Sequence, residues 1–234
     1  MRIGIVGTGA MARALGGAWA HAGHDVLLGG RDRDRARHAA ADTGHGTRWG
    51  GVHQALCHGD DAVLLALPHQ AAAEVAAAGA GTLAGRTVVD CSNPVAPGFT
   101  LATGTGPSAA ERIAAAAPHA HVVKAFNLCH AGVWHPRPPV FDGRALAVPL
   151  CGDDPHALAT VAALVRDTGS EPLAAGPLAR AHLLEATAAL LIGLWVGQGA
   201  DAQAIAPPLA HAGPLAPHPD TPAPGTGGGT GEGP

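Results

Sequence analysis

Apolar and polar positions along the chain alternate between two periods. Arg2-Ile3-Gly4-Ile5-Val6 is a short apolar run that predicts a strand. From Ala10 to Ala22 the apolar residues recur at helical spacing, and His21-Ala22-Gly23-His24 stops them. Asp25–Leu28 predicts a second strand, Asp32–Asp42 a helix ended by Gly44, Thr47–Trp49 a short strand, and Val52–His58 a short helix. Asp61–Leu67 is continuously apolar, as strands covered on both faces are. Helix and strand then alternate through Gln70–Ala78, Arg86–Asp90, Ser108–Ala117 and His121–Ala125. After a gap come a strand at Ala145–Cys151, a helix at Pro155–Arg166, a strand at Ser170–Ala174 and a long helix at Pro177–Val196.

This order predicts an α/β protein built on a doubly wound parallel sheet with right-handed crossovers, a Rossmann-type fold. The gap, Asn127 to Asp142, holds Pro136, Pro138 and Pro139 with Trp134 and Phe141. A loop of that length in a compact domain reads as a lid or a binding wall.

The first turn carries chemistry. Gly7-Thr8-Gly9-Ala10-Met11-Ala12 joins the first strand to the first helix. Gly7 permits a sharp turn, Gly9 lets backbone N–H groups approach a pyrophosphate, and Ala12 keeps the helix close to the strand. The helix N-terminus then faces the phosphates with its positive dipole end. The second strand chooses the nucleotide. An NAD site usually places Asp or Glu at its end, to bind the ribose hydroxyls. Here stand Gly29 and Gly30, followed by Arg31 and, one helical turn later, Arg35. Arg31 can stack on adenine or pair with a 2′-phosphate as a fork, so NADP(H) is expected over NAD(H). Arg33 and Arg37 read as a solvated helical turn.

In a doubly wound sheet, ligands lie beyond the carboxyl ends of the strands. Those ends add Leu67, Pro68 and His69, then Asn93 and Pro94, then Ala125 and Asn127. Leu67-Pro68 reads as an apolar wall passing the ribose and nicotinamide, and Asn93 as a hydrogen-bonding residue for the nicotinamide end. Backbone near Ala125 could do the same. Residues 1–144 thus form the expected dinucleotide-binding domain, and residues 145–205 an αβα extension packed on the same sheet. Residues 206–234 are a Pro/Gly-rich tail with too little apolar surface to offset its ordering entropy.

Composition narrows the function. The chain has 234 residues, 47% of them hydrophobic, and a formal net charge of −4, which argues against nucleic acid as a partner. Lys124 is the sole lysine and lies inside a strand, where it could point away from a site. Cys57, Cys91, Cys129 and Cys151 are widely spaced, as reduced thiols of a cytoplasmic protein would be. Fifteen histidines invite a metal, but neither His21 with His24 nor His119 with His121 has partners at ligand spacing, so none is expected. The most apolar stretch, Ala186–Val196, reads as core helix and is too short to span a membrane. Catalytic residues stay unassigned, with His69 and His130 as the candidates for a proton donor.

Three segments together resemble the NADPH-dependent reductases of the deazaflavin coenzyme F420, over residues 1 to about 198. They are Gly7-Thr8-Gly9 with Gly30-Arg31 and Arg35; Val148-Pro149-Leu150-Cys151-Gly152-Asp153-Asp154; and Ala175-Gly176-Pro177-Leu178 followed by Leu183-Leu184-Glu185. The resemblance implies an NADP site at Thr8 to Met11, Gly30, Arg31, Arg35, Leu67 and Ala125. It also implies a deazaflavin in an apolar cleft beside the nicotinamide, direct hydride transfer between the two, and a homodimer. Lys124-Ala125-Phe126-Asn127 departs from it and is similar to broader bacterial dinucleotide-binding relatives and to the reductase domain of membrane ferric reductases. Two other readings stand beside it: an NADPH-dependent reductase of a small imine, enone or carbonyl, and a non-enzymatic NADP(H) sensor.

Overall fold

The computed structural model describes residues 1–134, 138–202 and 205. The 206–234 tail, and Pro136, lie outside the described residues. Residues 1–200 form one compact unit, and the chain beyond them is counted apart.

Eight strands make one sheet: β1 (Arg2–Val6), β2 (Asp25–Gly30), β3 (Arg48–Gly51), β4 (Ala62–Leu65), β5 (Thr87–Asp90), β6 (His121–Lys124), β7 (Ala147–Gly152) and β8 (Glu171–Gly176). Their order is β8-β7-β6-β5-β4-β1-β2-β3. Ile3 of β1 pairs with Val26 on one side and Ala62 on the other, both parallel. The chain therefore winds one way from β1 to β3 and the other way from β4, and β1/β4 is the switch point where such sheets bind ligands.

Helices cover both faces: α1 (Ala10–His21), α2 (Arg33–Thr43), α3 (Val52–His58), α4 (His69–Ala78), α5 (Ala109–Ala116), α6 (Pro155–Asp167) and α7 (Ala181–Ile192). Alternate residues of each strand feed two cores. Ile3, Ile5, Leu64, Val89 and Val123 pack with Trp19 of α1 and Leu164 of α6. Val6, Val63, Leu65, Val88 and Val122 pack with Leu56 of α3, Ile113 of α5 and Leu184 of α7. Two covered faces explain the unbroken apolar runs. The indole of Trp19 donates to the carbonyl of Leu164 at 3.0 Å, tying α1 to α6 across the sequence.

The sheet departs from all-parallel at one place. β7 runs antiparallel to β6, with Cys151 opposite Lys124, and β8 is parallel to β7. No α-helix lies between β6 and β7 among the described residues. A parallel partner needs a crossover, whereas an adjacent antiparallel strand can be reached by a loop. The described residues of that loop include a 3₁₀ turn at Ala131–Val133 and a two-residue pairing of Val140–Phe141 with Arg144–Ala145. Trp134 is buried, edge-on to Phe126, which is edge-on to Trp19.

The last long helix is three pieces rather than one: a 3₁₀ turn at Leu178–Arg180, α7, and a π-turn at Gly193–Gly197. Nor is it a core helix that is too short to span. Leu178–Gly197 is 20 residues of mean hydropathy 1.3, long and apolar enough to cross a membrane, and 22% of it is buried. One face, with Leu184, Glu185 and Ala188, packs inward, while Leu183, Leu190 and Trp195 are exposed. The shorter strand β4 and the longer β2 shift two site boundaries. Leu67 lies past the strand, and Gly29 and Gly30 lie inside one.

Candidate functional site

The glycine turn leaves β1 with Gly7 at φ 135°, a conformation that L side chains rarely adopt. A Cβ there would also stand 2.3 Å from the carbonyl oxygen of Ala66. Gly7 N–H donates to Gly29 O at 2.8 Å and Ala66 N–H to Val6 O at 2.9 Å, so the ends of β2, β1 and β4 are laced together. Gly9 is different. A Cβ on it would meet nothing within 4 Å. No side chain caps α1 at Gly9, and no acidic residue occupies its first turn. The N–H groups of Ala10, Met11 and Ala12 thus open the helix uncapped, at its positive end, beside empty space. That is the chemistry an anion needs at a helix N-terminus.

Beside this turn, β2 ends in two glycines that packing requires. A Cβ on Gly29 would come 2.5 Å from that of Ala55, and one on Gly30 would come 2.9 Å from Thr8 Cγ2. A carboxylate at the end of β2 is therefore excluded by space as well as absent by composition. Asp32, the nearest acid, caps α2 by accepting from Asp34 and Arg35 N–H, each at 3.0 Å. Arg35 pairs with Asp32 at 3.4 Å on the exposed surface, an interaction weak enough to be exchanged for a ligand. Arg31 is exposed and has no side-chain partner among the described residues. Arg33 lies over the ring of Trp49 and Arg37 pairs with Asp34, so these two are engaged with the protein.

The other half of the strand ends is mostly engaged with itself, although buried Asn127 Oδ1 and Ser92 Oγ have no partner among the described residues. Asn93 and Asn127 face one another: Asn127 Nδ2 donates to Asn93 Oδ1 at 2.9 Å, and Asn93 Nδ2 to the Asn127 carbonyl at 2.7 Å. Asn127 Nδ2 also donates to Leu184 O at 3.1 Å, bracing the loop on α7. Ala125 is fully buried and its N–H is spent on Asp90 O. Pro94 is buried, and its carbonyl accepts from Ala102 N–H. His69 opens α4 half-buried, its ring capping nothing. His130 is exposed, with its ring accepting from Gly132 N–H at 3.1 Å.

Beneath the two asparagines lies a group that sequence reasoning missed. Lys124 is fully buried and donates to Asp90 Oδ2 at 2.7 Å, to Glu185 Oε1 at 2.9 Å and to the carbonyl of Ser92. Glu185, also fully buried, accepts from Ala109 N–H at 3.0 Å at the start of α5. Burial pulls the lysine pKa down, but attraction by Asp90 and Glu185 and their hydrogen bonds outweigh it, and the net direction is up. Lys124 is thus a charged ammonium held by two carboxylates, out of reach of a ligand. It ties β5, β6 and α7 together under Asn93 and Asn127. A second missed residue is Arg13 of α1, whose guanidinium donates to Thr8 O at 3.3 Å across the glycine turn. Its spacing from Gly9, one helical turn, was the available signal.

Residues 2–94 match the family model described as NADP oxidoreductase, coenzyme F420-dependent. A solved protein from Arthrobacter sp. FB24, provisionally described as an F420-dependent NADP reductase, is 27% identical with a TM-score of 0.75, over 86% of this chain and 96% of its own. The metalloreductase STEAP3 of Rattus norvegicus is 29% identical over 194 residues, 83% of this chain. The chain spans 38% of the length of that relative. A reductive aminase from Aspergillus terreus, solved with NADPH, shares the fold at 21% identity and a TM-score of 0.63, over 85% of this chain and 62% of its own. Over residues 2–94 the chain is thus similar to the coenzyme F420-dependent NADP oxidoreductases.

Proposed function

We propose that this protein moves a hydride between NADP(H) and a deazaflavin coenzyme of the F420 type. The observation that carries the NADP(H) half is the contrast around Gly9 and Arg31: an uncapped helix N-terminus and an unpartnered guanidinium on either side of a glycine-lined gap. Pyrophosphate lies over Gly9 to Ala12, and the 2′-phosphate lies between Arg31 and Arg35, which leaves Asp32 for it. Leu67 and Pro68 pass the ribose, and the Asn93–Asn127 pair limits the nicotinamide end. When bound, NADPH supplies the hydride, and the protein's part is to align two rings and exclude water. A proton donor is not needed for that alignment, which suits a strand-end cluster whose amides bond to each other.

The family match of residues 2–94 and the Arthrobacter protein support the deazaflavin as partner. The homodimer implied by the resemblance belongs to the same proposal, as does a cytoplasmic location. A carbonyl or imine reductase is the second reading, favoured by the uncapped ring of His69 just past Leu67-Pro68. The experiment is an absorbance assay with NADPH and oxidised deazaflavin. Loss of the deazaflavin band in step with NADPH consumption is expected. No loss with pure coenzyme, alongside turnover of a cyclic imine that His69→Phe abolishes, would replace the first reading by the second.

A further inference from the structure

The chain leaving β5 is held by an interlocked set of buried contacts. Asp90 Oδ1 accepts from Ser92 N–H at 2.9 Å, and Asp90 Oδ2 accepts from Lys124 Nζ at 2.7 Å. The same ammonium donates to the Ser92 carbonyl and, at 2.9 Å, to Glu185 Oε1. Its three protons thus meet three acceptors, which leaves the side chain one place to stand. Glu185 is fixed in turn, because its Oε2 accepts from Ala109 N–H at 3.0 Å. The preceding residue of α7, Leu184, offers its carbonyl to Asn127 Nδ2 at 3.1 Å, and that nitrogen also donates to Asn93 Oδ1 at 2.9 Å. Two adjacent residues of α7 therefore grip the end of β5 through Lys124 and the turn after β6 through Asn127.

Such a cluster adds little stability for its own sake. Desolvating an ammonium and two carboxylates costs about as much as their attraction recovers, and apolar side chains of similar volume often do as well. What the cluster supplies is a fixed arrangement of the residues around it. Phe126, just before Asn127, is 2% exposed and sits at φ 60°, a left-handed conformation rare for a bulky residue. Strain of that kind persists only where the surroundings over-determine it. The residues so held keep unused capacity. Ser92 Oγ and Asn127 Oδ1 are buried without a partner among the described residues. A hydroxyl and an amide oxygen complement a primary carboxamide, whose oxygen accepts from the first and whose NH2 donates to the second.

We infer that Lys124 and Glu185 are positioning residues for the nicotinamide: they hold Ser92, Asn93 and Asn127 in the arrangement that receives its carboxamide, and so set the ring's orientation without touching it. The inference rests on the NADP(H) half of the proposed function and not on the identity of the hydride acceptor.

The test compares NADPH with 2′-phospho-ADP-ribose, the same molecule without its nicotinamide. It uses the full chain at a temperature where every variant is folded by circular dichroism. Lys124→Met and Glu185→Gln should bind the fragment within about twofold of wild type. Affinity for NADPH should fall about tenfold in Lys124→Met, and about threefold in Glu185→Gln, which keeps an acceptor for the lysine. The fluorescence of bound reduced nicotinamide, enhanced in the wild type by a rigidly held ring, should fall toward that of free NADPH. Leu56→Ala controls for stability alone. Leu56 lies at the other end of the sheet, where its carbonyl accepts from Arg86 just before β5 at 2.7 Å. That variant should lower Tm and leave both the affinity ratio and the fluorescence unchanged. Should Lys124→Met fail to fold, Glu185→Gln decides the matter by the same two readouts. Equal losses for NADPH and the fragment, or a ratio that falls in Leu56→Ala as well, would overturn the inference and leave the NADP(H) site standing. A wild type that binds neither molecule would overturn the inference and the proposed function together. Selective loss of NADPH in a protein that never reduces a deazaflavin would support the inference and replace only the acceptor.

Discussion

The two halves of the strand-end surface are built on opposite terms. Around Gly9, Ala10 and Arg31, donors are left without partners among the described residues, and the space beside Gly9 is left open. Around Asp90, Lys124, Asn93, Asn127 and Glu185, the protein supplies most partners itself, and Lys124 alone takes three acceptors. Polar residues beside a cofactor site are easily read as ligands of the cofactor. The contrast shows that the useful criterion is what a group still has to offer once the fold is satisfied. Gly9 and Arg31 have everything to offer, whereas Lys124 has nothing.

The largest expected effect lies in the closed half. Lys124→Met leaves Asp90 and Glu185 buried without their countercharge, and breaking a buried pair from one side costs about 3–5 kcal/mol. For a domain of this size that lowers Tm by roughly 10 °C. The pH dependence has a definite sign. A lysine with a raised native pKa contributes its full stabilisation below its ordinary value of 10.5 and loses it as pH rises through the native value. The gap in Tm between wild type and Lys124→Met should therefore be constant from neutral pH to about 10 and narrow only above that. A gap that closed between pH 6 and 9 would mean that the lysine is not held as described.

A smaller effect separates the two glycines of one turn. Gly7→Ala forces a Cβ onto Ala66 O at a strained φ and should cost about 1–3 kcal/mol of stability. Gly9→Ala meets no protein atom, so thermal unfolding should shift by less than about 1 kcal/mol. NADPH affinity should nonetheless fall at least tenfold, because the methyl occupies the pyrophosphate's place. Equal loss of stability in both variants would show that Gly9 serves the fold and not the nucleotide.

The open half was legible in the sequence because its logic is local. Gly7 to Ala12 and Gly30-Arg31 each act within a few residues of a strand end, and a turn between an apolar strand and an amphipathic helix reveals them. The closed half joins residues far apart, Lys124 with Glu185 across 61 positions, and no spacing rule predicts such a pair. The antiparallel β7 was legible in principle, since no helical pattern fills the stretch after β6. It was missed because regular alternation before that point argues for parallel strands throughout. The exposed face of α7 and the π-turn after it escaped for a related reason, because Leu183, Leu190 and Trp195 look like core on hydrophobicity alone.

The most direct test of the open half is the affinity of wild type and Arg31→Ala for NADPH and NADH. A charge-assisted contact to the 2′-phosphate should contribute about 1.5–3 kcal/mol, so the variant's Kd for NADPH should rise about 10- to 100-fold. Its Kd for NADH, which has no such phosphate, should change less than about threefold. An equal rise for both cofactors, or a wild type that binds them equally well, would contradict the account.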